Sequence, residues 1–476
     1  MMPLKLKLKH ANTLLLTLAL ALSLPAHGLS IKQATRIKVN RLISRYHPKI
    51  GLVIANNKGT IISKKNNKQF FSSASILKLF TASAALLSLG PRFRYKTSLL
   101  FTGRKRSTTL NGNVYLRFSG DPSLTMRDIN NFFNTIQARG IRTIKGNVYL
   151  DDYQFNHTQY PPGTAVDDLA YSYASPVDAM TIDENKFGLT ITPSKPNTAP
   201  VLTSSLPDHT VYYNNHLLCT KQKKHCHIII RSDGHNHYSL SGCVPIKSGK
   251  QAESLAIRNV FTVANKRIHQ ILLNHKLVLT GHISQGRTPL NAIVINTHLS
   301  PPLSQLIYRM LKDSDNLISN TLIKTMSLHR NRKQGDFKSG LKIMKRVLAP
   351  ITGIRFHNTR IKDGAGLSAY NLITPNQVLK LLIAIKNNPI LRKTILPALP
   401  IAGRDGTLAD RMHILAKRRR LRAKTGTLTG VSNIAGYCRT KHHGKLMFVL
   451  MINQYITKAK PIRRWTNQYL TTLALK

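Results

Sequence analysis

Residues 73–89 read Ser-Ala-Ser-Ile-Leu-Lys-Leu-Phe-Thr-Ala-Ser-Ala-Ala-Leu-Leu-Ser-Leu, and this stretch decides the fold. Ile76, Leu77, Phe80, Ala84 and Leu87 recur at helical spacing and Gly90-Pro91 ends the run, which predicts a buried helix. At its start stands Ser75-Ile-Leu-Lys78. A separation of three puts the lysine one turn beyond the serine on the same face, within reach of the hydroxyl. A serine hydroxyl is a poor nucleophile at neutral pH, and a desolvated lysine with a lowered pKa can take its proton. A helix N-terminus also favours the negative charge that develops there. Alone the pattern is weak: Ser339-Gly-Leu-Lys342 matches it too, and a chain this rich in lysine yields a match or two by chance.

Order along the chain removes the ambiguity. Ser314-Asp-Asn316 precedes a helical run, and Lys424-Thr-Gly426-Thr427 lies in a late strand pattern. Lys247-Ser-Gly249 comes before Ser-Asp-Asn, and no Ser-x-Asn lies between Ser339 and Lys424. Only Ser75, Ser314 and Lys424 keep Ser-x-x-Lys, Ser-Asp-Asn and Lys-Thr-Gly in sequence, the signature set of penicillin-binding proteins and class A β-lactamases.

The chain resembles the DacB-type low-molecular-mass class C penicillin-binding proteins, the D-alanyl-D-alanine carboxypeptidase/endopeptidase family S13. Beyond the three elements the likeness rests on Gly120-Asp-Pro-Ser-Leu124, Gly146-Asn-Val-Tyr-Leu-Asp151, Asp363-Gly-Ala-Gly-Leu-Ser368 and Pro400-Ile-Ala-Gly-Arg-Asp-Gly-Thr-Leu408. It implies an α+β fold, the penicillin-binding/serine β-lactamase-like transpeptidase fold, in which an antiparallel sheet is flanked by helices. The 239 positions from Ser75 to Ser314 match a family that inserts two mainly β accessory domains there. The expected division is a signal peptide at 1–28, a catalytic domain at 29–94 and 300–476, accessory domain II at 95–180 and 252–299, and a nested domain III at 181–251.

The resemblance implies roles. Ser75 is the nucleophile on the carbonyl between two D-alanines and Lys78 its general base. Ser314 relays a proton to the leaving amine beside Lys424. Asn316 holds Lys78 and the substrate backbone. Lys424, Thr425, Gly426 and Thr427 grip the terminal carboxylate, and the N–H groups of Ser75 and Thr427 form an oxyanion hole. No metal or organic cofactor is expected. In the family an Asp of the insertion helps form the pocket for the free end of diaminopimelate, and Asp183 occupies the matching stretch. An Asx turn or surface charge is the bland alternative there. Relatives commonly carry Arg after Gly-Leu-Ser, where this chain has Ala369, which puts the usual side-chain preference in doubt.

Counting glutamates separates two enzymes that share the motifs. Class A β-lactamases deacylate with a Glu between Ser-Asp-Asn and Lys-Thr-Gly. The chain has only Glu184 and Glu253, neither in that interval, so β-lactam antibiotics are expected to acylate it and leave slowly. Two alternatives remain at this stage: a non-catalytic cell-wall or anionic-surface binding protein on the same fold, and a β-lactamase or esterase-like hydrolase. Covalent labelling by penicillin separates the first, and fast release of the label the second.

Composition bounds the rest. The 476 residues suggest two or three domains, and 42% apolar residues suffice for a core. Lys5, Lys7 and Lys9, the apolar run Leu14–Leu24 and small residues at Ala26-His-Gly28 form a three-part secretory signal, which points to export and a periplasmic location, soluble or peripherally associated. Cys219, Cys226 and Cys243 offer rival disulfide pairings, while Cys219-x6-Cys226-His227 fits no standard zinc spacing. Lys and Arg total 71 against 18 Asp and Glu, a formal charge of +53. Lys417-Arg-Arg-Arg420 with Arg422, and Arg330-Asn-Arg-Lys333, are the densest basic runs. No nucleic-acid motif accompanies them, so the expected partners are peptidoglycan peptides and an anionic wall polymer or membrane surface, or else this is simply a solvated basic face. No convincing fixed repeat is read from the sequence.

Overall fold

The computed structural model describes residues 30–221, 226–418 and 420–476; the expected signal peptide lies outside them. The first element among the described residues is a helix, Ile31–Tyr46, opened by a capping box in which Gln33 N–H donates to Ser30 Oγ at 3.2 Å and Gln33 Oε1 accepts from Ser30 N–H at 3.1 Å. Strands β1 (Lys49–Asn56) and β2 (Ile61–Lys65) follow as a hairpin. The other strands of the same sheet come from the end of the chain: β3 (Leu421–Leu428), β4 (Val431–Arg439) and β5 (Lys445–Asn453). The spatial order is β2-β1-β5-β4-β3, antiparallel throughout, with Val53 opposite Val449 and Lys424 opposite Ala435.

Both faces of this sheet are covered, which is why β1 and β5 read as unbroken apolar runs rather than alternating ones. Ile50, Leu52 and Ile54 point into one core with the first helix and the last, Ala459–Leu475. Val53 and Ala55 point into the other, which contains the Ser75 helix and the helices between residues 303 and 398. The predicted helix over 73–89 is a 3₁₀ turn, Ala74–Leu77, running into an α-helix, Lys78–Leu89. The helical pattern over 303–330 is two helices, Leu303–Lys312 and Asn316–Asn331, broken at Ser314, whose φ is 63°. Asp315 caps the second of them, accepting from Ile318 N–H at 2.8 Å.

The stretch between Tyr95 and Ser300 forms separate sheets over one continuous apolar core that includes Leu99, Ile144, Ile230 and Leu272. It holds a repeat that the sequence reading missed. Gly112-Asn-Val-Tyr-Leu116 and Gly146-Asn-Val-Tyr-Leu150 are identical, and each sits where a short strand hands over to a second one in another sheet. Val278–Leu279 and Ile283–Gln285 flank Gly281 as a third copy, and the equivalent strands pair in parallel. The glycines are needed because the copies stack backbone on backbone. A Cβ on Gly146 would lie 2.3 Å from Gly112 O, and one on Gly281 2.4 Å from Gly146 O. The third copy diverges in sequence, so no fixed period survives.

Cysteine pairing is resolved by geometry. Cys226 and Cys243 are joined as a disulfide, leaving Cys219 buried with Ser194 N–H on its sulfur at 3.2 Å. The alternative metal reading thereby loses the Cys226 thiolate, which a metal would need. Among the described residues no helix is long and apolar enough to cross a membrane.

Candidate active site

The tight turn at Ala74–Leu77 presents Ser75, and the α-helix that follows begins at Lys78, wholly buried. Lys78 Nζ donates to Ser75 Oγ at 2.8 Å, to Asn316 Oδ1 at 2.6 Å and to Ala365 O at 2.8 Å. Three acceptors use all the protons of an ammonium. Burial nonetheless lowers its pKa to about 7, against the pull of Asp363 and Asp315. Once neutral, the amine keeps two protons for Asn316 and Ala365 and turns a lone pair toward Ser75.

Lys424 is equally buried, donating to Ser314 Oγ and to Thr425 O, both at 2.9 Å. Desolvation first, and the charge on Lys78 second, push its pKa well below the ordinary lysine range. Ser314 holds this position in a left-handed backbone conformation that a non-glycine residue rarely adopts. Asn316 is fixed from both ends, because its Nδ2 donates to Tyr173 O at 2.8 Å.

Two glycines let the backbones close in. A Cβ on Gly366 would lie 1.9 Å from Ala74 O, and one on Gly426 2.8 Å from Ser75 N, so only bare backbone fits beside Ser75. The loop that supplies Ala365 O is shaped by Asp363, whose buried carboxylate accepts from Gly366 N–H and Ser368 N–H, each at 2.7 Å, and from Asn371 Nδ2 at 2.8 Å. Thr425 Oγ1 donates to Thr407 Oγ1 at 2.7 Å, while Thr427 is exposed at the sheet edge. Lys312 Nζ ties the Thr407 loop to the Ser314 turn through Asp405 at 2.6 Å and Leu399 O at 2.9 Å.

Residues 44–472 match the model of the D-Ala-D-Ala carboxypeptidase 3 (S13) family. The chain belongs to this family of D-Ala-D-Ala carboxypeptidases. It is 30% identical over 414 residues to D-alanyl-D-alanine carboxypeptidase DacB of Haemophilus influenzae, covering 86% of each chain. The crystal structure of penicillin-binding protein 4 (dacB) from Haemophilus influenzae superposes with a TM-score of 0.84 at 28% identity, covering 92% of this chain and 99% of that one. A structure of the same protein complexed with a β-lactam gives a TM-score of 0.78 at 27% identity, over 92% and 100%. The fold of the S13 chain is thus the α+β penicillin-binding one.

Within the S13 fold Asp183 is held by other residues of the insertion: its Oδ2 pairs with Arg267 at 2.6 Å and its Oδ1 accepts from Met126 N–H at 3.2 Å. Its neighbour Glu184 is bound to Arg309 at 2.8 Å, which also reaches Asp315 at 3.2 Å and so ties the insertion to the Ser-Asp-Asn turn. Another acid of the insertion, Asp168, is linked to Asn316 through Tyr173. Tyr173, whose carbonyl holds Asn316, donates its hydroxyl to Asp168 Oδ1 at 2.9 Å, and its ring stacks on Tyr171 with centroids 5.6 Å apart. Ala369 is exposed in the turn between Ser368 and Tyr370, against which Gly163 of the insertion packs.

Sequence reasoning missed Asp168, Tyr173, Ala365 and Thr407 as members of the site. Ala365 and Thr407 lie inside stretches that the family resemblance had picked out. Tyr173 and Ala365 act through their carbonyls, which leave no mark on residue choice.

Proposed function

We propose that the chain hydrolyses the bond between the two terminal D-alanines of peptidoglycan stem peptides through an acyl-enzyme on Ser75. The observation that carries this reading is Lys78: a buried amine 2.8 Å from the Ser75 hydroxyl, with its pKa brought to about 7. A base poised near working pH maximises proton transfer.

Lys78 takes the proton as Ser75 Oγ attacks the penultimate D-alanine carbonyl. The N–H groups of Ser75 and Thr427 receive the oxyanion. Ser314, bonded to Lys424, passes a proton to the departing amine, and D-alanine leaves. Lys424, Thr425, Gly426 and Thr427 hold the terminal carboxylate, with Thr407 behind Thr425. Water then attacks the ester, and Ser75 regains its proton. A cross-linked peptide offers the same carbonyl with another amine as leaving group, so the same residues serve DD-endopeptidase cleavage. The exposed Tyr173 and its partner Asp168, rather than Asp183, supply the acidic pocket for the ammonium of the stem peptide's side chain. Export to the periplasm, a division into one catalytic and two accessory domains, and attraction of the basic surface to anionic wall polymer or membrane belong to the same reading.

Fluorescent penicillin tests it. Wild type is expected to carry the label and keep it, and Ser75→Ala to carry none. An unlabelled wild type overturns the proposal, and release within seconds favours a β-lactamase.

A further inference from the structure

The basic run Lys417-Arg-Arg-Arg420 with Arg422 has no part in the chemistry above. Arg418, Arg420 and Arg422 face a cleft of about 830 Å³ between the helix Pro389–Ala398 and the ends of β3, β4 and β5. Eight of its sixteen lining residues are Lys or Arg, and no Asp or Glu lines it among the described residues. None of the eight pairs with a side-chain carboxylate among those residues either.

Four of these cations are held by main-chain carbonyls. Arg422 Nη1 donates to Leu396 O at 3.2 Å, Arg392 Nη1 to Lys386 O at 3.3 Å, and Arg420 Nη1 to Ala474 O at 3.3 Å. Lys386 Nζ donates to Asn57 O. A guanidinium carries five N–H donors, so a carbonyl orients Arg392, Arg420 and Arg422 through one nitrogen and leaves further donors for a ligand. The remaining wall is apolar, from Leu396, Pro397, Leu446 and Met447. A concave, low-dielectric wall concentrates the field of like charges.

We propose that this cleft binds phosphate groups presented in multiples, whether on a soluble polyphosphate or on the head groups of an anionic lipid surface. A single carboxylate would leave most of the eight cations unanswered. Several phosphates bring several charges and the many acceptor oxygens that forked guanidinium donors fit. The proposal is independent of the Ser75 chemistry.

The probe is sodium tripolyphosphate, titrated calorimetrically into the whole protein at about 0.15 M salt, where surface charges beyond about 8 Å are screened. Arg392, Arg439 and Lys445 are exposed on the rim, so Arg392→Gln/Arg439→Gln/Lys445→Gln should fold, and unchanged penicillin labelling checks that it does. The control Lys32→Gln/Arg36→Gln/Lys64→Gln removes three charges from a different basic cleft, beside the first helix. Saturable binding by wild type is expected, weakened about tenfold or more in the rim variant and less than about twofold in the control. Equal weakening in both variants, or no saturable binding by wild type, overturns the site. Phosphatidylglycerol vesicles distinguish the source of the phosphates. Capture that tripolyphosphate competes away and the rim variant loses assigns a lipid surface; an intact titration without capture assigns a soluble polyphosphate.

Discussion

The charge on Lys78 helps hold Lys424 below the ordinary lysine range, although the two stand 346 positions apart in the chain (424 − 78). Each is wholly buried, each donates to a serine hydroxyl, and Lys78 has the pKa of a base ready to act near neutrality.

Acylation by penicillin is therefore expected to rise with pH. Lys78 accepts the Ser75 proton only when neutral, so the second-order rate constant should climb about tenfold per pH unit below about 7 and level off above it. Rates of label incorporation between pH 5 and 9 check this, and a flat profile would remove Lys78 as the base. Lys78→Arg should lower the rate by about 10²–10⁴-fold at every pH.

Ser314→Gly is expected to separate stability from activity. The left-handed backbone at Ser314 costs an L-residue roughly 1–2 kcal/mol, which glycine avoids, offset in part by glycine's greater loss of entropy. Thermal unfolding should stay level or rise slightly while peptide turnover falls, because the hydroxyl on Lys424 is gone. A variant that loses both together would mean that the hydroxyl, not the backbone, holds the turn.

Gly366→Ala should destabilise the protein by about 1–3 kcal/mol and abolish labelling. Its methyl group would collide with the Ala74 carbonyl, and relief moves Ser75. Denaturant midpoints and penicillin labelling of the same preparation report both effects.

Asp168→Asn is expected to reduce kcat/KM on diaminopimelate-containing peptides about tenfold and leave penicillin acylation unchanged. Asp183→Asn should instead lower the melting temperature by loosening Arg267 and the start of the helix Met126–Ala138, with no change in substrate preference. The reverse pattern would return the side-chain pocket to Asp183.

Breaking the Lys312–Asp405 pair tests the link between the Thr407 loop and the Ser314 turn. Lys312→Met takes the ammonium from the Leu399 carbonyl and from the Asp405 carboxylate, which keeps only Ile401 N–H at 2.7 Å, and this should cost about 1–3 kcal/mol and slow acylation. Chemical denaturation and labelling rates measure the two.

How much could be read in advance varies with the kind of interaction. Ser75 and Lys78 were legible because a helical turn is short-range geometry, and Lys424 because a motif order survives any insertion. The sheet built from both chain ends was legible in its apolar strands, since burial on two faces leaves an unbroken run. The helix Val260–Asn274 was not: Val260, Phe261, Thr262 and Val263 favour a strand locally, and only burial of Val263, Ile268 and Ile271 on one face pays for the helix. The helix Phe337–Thr352 was also missed, with Pro350 in its last turn. Asp168 and Asp183 are indistinguishable as letters. Which of them an arginine has neutralised is a tertiary fact.

Pairing β1 with β5 sets a schedule on the molecule's birth. Ser75 and Lys78 are synthesised within the first fifth of the polypeptide, yet the strand bearing Lys424 and the two that seat that strand are all among the last to be made. A ribosome finishing the first four hundred residues has produced a nucleophile with nowhere to dock, and long-range pairings of this kind are slow to form. The hydrolase therefore stays inert until its tail arrives, and any truncation before β5 yields a chain that cannot cut.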